Sequence, residues 1–397
     1  MLCLIVLLHC TVYKLQVVGK HAIDTSTKAE FLRYSSSTMA SNQAMVNEEL
    51  PPEKFAEKIS RLIDNASVSM AIAVGSELGI FSVMAQLEKP ETSEFIAKKS
   101  GLIERYVREW LAALVTGKIV HYNRDDNTYF LPRSYIPLLK GGSMTMFSTI
   151  LLMFSERSQE LNACFRNGGG IPYSSYKEFH RWMNEFSTRN HKANLVDVFI
   201  PSIEGLKEKL ESGIKVLDIG CGSGSPGLIM AAKFPRSEFY GFDISEEAIT
   251  KAKEEAERQG LVNAHFKVQD CANLDLEYQE DFDYVTAFDS IHDQAHPDKV
   301  LAETCKVLKK EGIFSLVDIN SHSNVADNIG QPLSCLKYVV SLFHCMPVSL
   351  YFEGGKGLGT CWGKELATDM IKKAGFTGVD IRHVANDHFH VHILCTK

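Results

Sequence analysis

The sequence lacks several features that would have pointed to a function directly. Its 10 cysteines contain no Cys-x-x-Cys pair and no spacing typical of metal sites, which excludes zinc-finger and dithiol redox motifs. The pattern is that of reduced thiols in a cytoplasmic protein. No apolar run approaches the ~20 residues a membrane-spanning helix needs. LCLIVLLHCTVY (2–13) and SMTMFSTILLMF (143–154) are the two longest candidates. No Lys or Arg precedes the first and no small-x-small cleavage site follows it, so a signal or anchor is the minor reading for that stretch. A disordered leader, or a start misplaced upstream of Met39 or Met45, is the major one. There is no excess of positive charge: 42 Lys and Arg stand against 49 Asp and Glu, a net charge of −7. Such a chain has no global attraction to nucleic acid or acidic membrane. No internal repeat is evident.

Hydrophobic periodicity divides the rest. Residues 1–50 carry little pattern. After Pro51-Pro52, helical spacing begins and continues through a helix–turn–helix–hairpin arrangement to about residue 140, a winged-helix, dimerisation-type domain. Thr92-Ser93-Glu94 caps one short helix and Gly101 ends it. The next helix, about 103–115, is predicted to place Tyr106, Trp110, Leu111 and Leu114 on one face. As a recognition helix for DNA it is unconvincing. Residues 85–140 hold nine Lys/Arg and seven Asp/Glu, a weak footprint for phosphates. Residues 141–211 read as a helical linker and active-site cover, broken by NGGGIPYSSY. From 212 to 397, short apolar runs alternate with amphipathic helices. That predicts a mostly parallel sheet covered by helices, closed by an antiparallel strand at the C-terminal edge. A charge-poor stretch at about 320–362 interrupts this domain and is predicted to form a lid over a substrate pocket.

VLDIGCGSGSPGLIMA (216–231) runs an apolar strand through Asp218-x-Gly220-x-Gly222-x-Gly224 into a helix. Glycines allow a tight turn and close approach of a ligand, and the helix start offers free N–H groups to an anion. The dinucleotide pattern G-x-G-x-x-G would need glycine at 225, which is Ser225. Two further strands end in Asp243-Ile244 and in Asp270-Cys271. An acid at the first position suits ribose hydroxyls.

The glycine motif resembles motif I of the class I S-adenosylmethionine (SAM) methyltransferases. With ERYVREWLAALVTGKIV, GGGIPYSSY, AFDSIHDQAHP and GLGTCWGKELATDMIKKAGF, the chain looks most similar to small-molecule members with an N-terminal winged-helix domain. That resemblance implies an α/β fold, a Rossmann-like sheet plus an N-terminal all-α winged-helix domain. It implies SAM as cofactor, a small methyl acceptor and a homodimer, with no nucleic acid partner and no stable membrane span. The cofactor residues it implies are Asp218, Gly220, Cys221, Gly222, Gly224, Asp243, Ile244, Asp270, Cys271, Phe288 and Asp289.

The open α/β fold brings ligands to the C-terminal ends of the strands. His292 is therefore a candidate general base, oriented by Asp293 or Asp289, and Tyr173 a candidate contact for donor or acceptor. His292 and His296 in HDQAHP also resemble the spacing of a zinc-protease helix. Pro297 breaks the helix this needs, and no third ligand stands at a metal-site spacing, so no metal is expected. The reading is a methyltransferase acting on O or N of a small, apolar or aromatic acceptor. A SAM-binding winged-helix regulator and a catalytically silent pseudoenzyme remain alternatives.

Overall fold

A computed structural model describes residues 49–140, 143–384 and 387–397. The predicted leader lies outside these residues apart from its last two positions. Helix α1 (Pro52–Glu77) is followed by α2 (Ser93–Ser100) and α3 (Glu104–Thr116). Thr92 caps α2 by accepting the Phe95 N–H, and Gly101 ends it in the left-handed region at φ 68°. On α3 the buried face is Val107, Trp110, Leu111 and Leu114. Tyr106, predicted for that face, is 79% exposed. The i, i+3, i+4, i+7 row runs through Val107, and Tyr106 lies one residue, about 100° of helix, away from it. Trp110 donates its indole N–H to the Ala71 carbonyl at 2.8 Å and meets Phe81 edge-on. Both arginines of α3 pair with glutamates of the same helix, Arg105 with Glu109 and Arg108 with Glu104. A two-stranded wing, β1 (His121–Asn123) and β2 (Thr128–Phe130), completes this helical module.

The linker forms α4 (Ser143–Ser155), α5 (Ser158–Asn167) and α6 (Lys177–Asn194). α6 is amphipathic and buries Phe179, Trp182 and Phe186. These side chains share a core with Phe154, Tyr176 and Val348. The predicted lid is thereby tied down: its residues pack with the linker, and the Tyr176 hydroxyl donates to the Phe343 carbonyl at 2.6 Å.

Seven strands make the main sheet: β3 (Lys215–Ile219), β4 (Glu238–Asp243), β5 (Ala264–Val268), β6 (Phe282–Phe288), β7 (Leu308–Ile319), β8 (Gly378–Val384) and β9 (Asp387–Thr396). Their order is β5-β4-β3-β6-β7-β9-β8. β3 to β7 pair in parallel. The antiparallel strand is β9, which sits one place in from the edge, between β7 and β8. The two last strands are joined too closely for a crossover, so β9 can only return alongside β8 and fill the gap beside β7. The helices α7 (Ser225–Lys233), α8 (Glu246–Gln259) and α9 (Pro297–Val307) connect the parallel strands. α10 (Ser334–Val340), a π-helical turn at Ser341–Cys345 and α11 (Met346–Leu350) form the insertion, and α12 (Gly363–Lys373) leads to β8.

Buried Asn263, just before β5, donates its amide to the carbonyls of Ala231, Phe234 and Ser237 at 3.2, 3.4 and 2.9 Å. It holds the end of α7 against the start of β4. Replacing it by Ala leaves buried carbonyls without donors. Asn263→Ala should lower stability by about 1–3 kcal/mol, read as a shift of the urea midpoint at unchanged slope.

Candidate functional site

The site begins where the parallel strands end. After β3 the chain turns through Gly220, Gly222 and Gly224 at φ 65°, 54° and 77°, a conformation that costs residues with a Cβ. The Gly222 N–H donates to Asp243 Oδ2 at 2.8 Å and the Ser245 N–H to Asp243 Oδ1 at 2.8 Å. One carboxylate at the end of β4 thus fixes both the glycine turn and the start of α8. A side chain at Gly222 would point into open space, whereas one at Gly224 would meet the Phe266 ring at 2.5 Å. Gly222 faces a ligand's side; Gly224 lets α7 pack on β5.

A cleft of about 460 Å³ opens here, lined on the strand side by Asp218, Gly220, Cys221, Gly222, Phe288 and Asp289. Asp218 is buried and accepts one hydrogen bond, from the Thr286 hydroxyl at 2.7 Å. Burial pushes its carboxyl up to about 7. Asp243, Ile244, Asp270 and Cys271 do not line this cleft. Asp243 holds its rim, as above. Ile244 is exposed beside it. Asp270 accepts the Ala272 N–H at 2.9 Å, a turn-forming bond. The Cys271 side chain is buried in the core under β3 and β4, which leaves only its backbone for the expected place beside a cofactor.

The opposite wall comes from Tyr173 and α6. His180, Asn184, Ser187 and His191 recur at helical spacing on the face away from Phe179, Trp182 and Phe186. That polar stripe is visible in the sequence but fits no motif. Asn184 takes a hydrogen bond from the Ser223 hydroxyl, and Ser225 Oγ lies 3.5 Å from His191 Nδ1. The Tyr173 ring stacks on His180 at 3.6 Å between centroids. Burial lowers both imidazoles, His180 and His191, to about 4, so both are neutral near pH 7. Desolvation, with the Asp243 and Asp293 carboxylates, raises the Tyr173 hydroxyl above the usual phenol range.

Beyond Tyr173, two buried charge clusters support the strand ends. In the first, His390 bridges Asp289 (Nε2 to Oδ2, 3.0 Å) and Asp387 (Nδ1 to Oδ2, 2.6 Å). Burial alone would lower His390, but the two carboxylates outweigh it and hold the ring at about 10. In the second, His292 Nδ1 meets Asp318 Oδ1 at 2.7 Å and Nε2 lies 3.3 Å from Asp293 Oδ1. Burial opposes the charge on His292, yet Asp318 and Asp293 raise it well above its ordinary value. His292 is 3% exposed and absent from the cleft lining. Both ring nitrogens face carboxylates, so neither is free to take a proton from an acceptor. In the arrangement seen this removes the general-base role expected of His292: Asp318 holds Nδ1, the expected Asp293 faces Nε2, and Asp289 pairs with His390 instead. α9 starts at Pro297, with His296 just before it.

Residues 66–140 match the family described as the Rv2258c-like winged HTH domain, and residues 210–375 match a family described as a methyltransferase domain. Residues 210–375 carry the sequence pattern of a methyltransferase domain. An O-methyltransferase structure from Nostoc punctiforme superposes with a TM-score of 0.66 at 21% identity, over 88% of this chain and 100% of that one. Human N-acetylserotonin methyltransferase in complex with SAM gives 0.63 at 15% identity, over 88% and 99%. Both likenesses establish the fold of the methyltransferase and winged-helix portions. A ribosomal RNA small subunit methyltransferase G from a Thermotoga species is 34% identical over 149 residues, 36% of this chain and 60% of the relative. The chain spans less than two thirds of the length of such curated relatives.

Asp218 makes the methyltransferase domain sensitive to pH. Its carboxyl keeps its proton in the folded state up to about 7 but loses it near 3.8 when unfolded. Between those values the folded state binds more protons, so stability falls as pH rises through that window. The full effect is up to about 4 kcal/mol. Asp218→Asn should flatten this slope in urea titrations of the ligand-free protein at stepped pH.

Proposed function

We propose that the protein is a SAM-dependent methyltransferase that modifies O or N of a small, apolar or aromatic acceptor. The observation that carries this reading is the cleft between the glycine turn and α6, which has polar backbone on one wall and stacked rings on the other. Its residues fit the cofactor. Asp218 offers a buried carboxylate with spare acceptor capacity for an ammonium group. The turn at Gly222 leaves open space where a Cβ would stand. Asp243, already oriented by two backbone N–H groups, keeps lone pairs for ribose hydroxyls, and exposed Ile244 offers an apolar face beside it.

When bound, SAM supplies a methyl group already activated by its sulfonium charge. The protein then mainly positions the acceptor and excludes water. Tyr173, stacked on His180, forms an aromatic wall for a flat acceptor. Neutral His191, 5.0 Å from the Phe288 ring, presents an imidazole at the same wall. The insertion packs on the apolar face of α6, behind this wall.

Homodimerisation is part of the proposal. It is supported by the exposed apolar residues Leu62, Ile63, Met70 and Val74 on α1. Among the described residues no helix is long and apolar enough to cross a membrane, and the eight described cysteines are free thiols. A cytoplasmic setting agrees with the second observation.

SAM or S-adenosylhomocysteine should raise the melting temperature by several degrees, and Gly222→Arg should abolish the shift. Stabilisation by NADH in place of SAM would sink the assignment. Incubation with methyl-labelled SAM and a pool of extracted metabolites, followed by mass spectrometry, should yield a labelled small molecule. A retained thermal shift with no labelled product from any pool would favour the pseudoenzyme. Salt-dependent binding to random duplex DNA would favour the regulator.

A further inference from the structure

We propose that His292, Asp293 and Cys345 form a zinc site behind the cleft. His292 and Asp293 come from the loop after β6, and Cys345 from the π-helical turn of the insertion, 52 positions later. One ring nitrogen of His292, a carboxylate oxygen of Asp293 and Sγ of Cys345 lie within 4.8 Å of one another. Imidazole nitrogen, carboxylate oxygen and thiolate sulfur are the three donor types zinc takes, at about 2.0–2.3 Å. Around a tetrahedral ion such donors stand roughly 3.5 Å apart, and the His292–Asp293 pair is at 3.3 Å. The remaining edges, within 4.8 Å, would have to contract on binding.

The surroundings are those of a metal site. Ligating histidines usually give their other ring nitrogen to a carboxylate, which fixes tautomer and orientation. Here Asp318 Oδ1 holds His292 Nδ1 at 2.7 Å, so Nε2, which faces Asp293, becomes the ligand atom once its proton leaves. The Thr360 hydroxyl is 3.2 Å from Cys345 Sγ. Without an ion the group is poorly satisfied. Asp293 Oδ1 is buried and has no hydrogen-bond partner among the described residues, because its approach to His292 is misaligned, and His344 Nε2 has none either. π-Helical turns concentrate at functional positions, and this one places His344 and Cys345, both buried, toward the same loop. His344 Nδ1 stands 3.7 Å from Asp293 Oδ2.

Binding would displace two protons to solvent, from the Cys345 thiol and from Nε2 of the His292 imidazolium, and join sulfur and ring nitrogen to zinc. Three protein ligands leave a fourth position for water or for a donor atom of the acceptor. The ion would pin the insertion to the end of β6, and it uses His292 without His296. This inference stands independently of methyl transfer.

The test uses the full chain without an affinity tag, stripped with a chelator and titrated with Zn²⁺, then with Co²⁺ as a spectroscopic probe. We expect one equivalent bound, a thiolate-to-cobalt charge-transfer band, loss of that band in Cys345→Ser, and 10–100-fold weaker binding in Asp318→Asn. Cys335→Ser, at an exposed thiol, should change nothing. No bound equivalent, or a band that persists in Cys345→Ser, overturns the proposal. If that variant does not fold, X-ray absorption of the zinc-loaded wild type decides: one sulfur in the coordination shell supports the site, and none or more than one rejects it. The SAM thermal shift measured on the same samples reports the donor cleft separately.

Discussion

Asp243 is the group on which the rest of the site depends. Its carboxylate accepts the N–H of Gly222 from one crossover and that of Ser245 from the next. Two turns that would otherwise be set only by their own backbone preferences are locked to the end of one strand. The glycine turn is thereby held in its left-handed conformation before any ligand arrives, so the ordering cost is met in folding and not in binding. Burial raises the Asp243 carboxyl, opposed by its bonds from the Ser245, Gly222 and Ile244 amides. Its two short backbone contacts are what make a buried carboxylate tolerable there.

The sheet supplies one wall of the cleft and α6 the other, and the two meet in polar contacts at Ser223–Asn184 and Ser225–His191. On its far side α6 rests on an aromatic row of Phe147, Phe179, Trp182 and Phe186, with ring centroids 5.2–6.3 Å apart. That packing joins the linker, the insertion and the cleft mechanically. A change in the insertion is felt at the cleft wall through rings and not through charges.

Much of this was legible in the sequence. The βαβ alternation and Asp218-x-Gly220-x-Gly222-x-Gly224 predicted the sheet and the position of the glycine turn, because strand, turn and helix are local signals. The burial of Val107 in place of Tyr106 was missed by one residue of helical phase. The partner of His292 was missed for a different reason: Asp318 closes β7, 26 residues away. Parallel neighbours bring together residues that no local spacing announces. His390 and Asp289 meet in the same way, across the antiparallel return of β9. His180, Asn184 and His191 could have been found, since a polar row opposite an aromatic one on a single helix is a periodic signal.

The π-helical turn at Ser341–Cys345 has an evolutionary consequence. A π-turn carries one residue more than the α-helix around it, so Met346–Leu350 is advanced by about 100° relative to Ser334–Val340. The two halves of the insertion can therefore vary independently in what they present. Loss of a single residue there would straighten the helix and swing everything after it out of phase. Point substitutions can adjust the wall the insertion forms, but its length at this turn is a discrete parameter, one that a lineage can change only by rebuilding the wall at once.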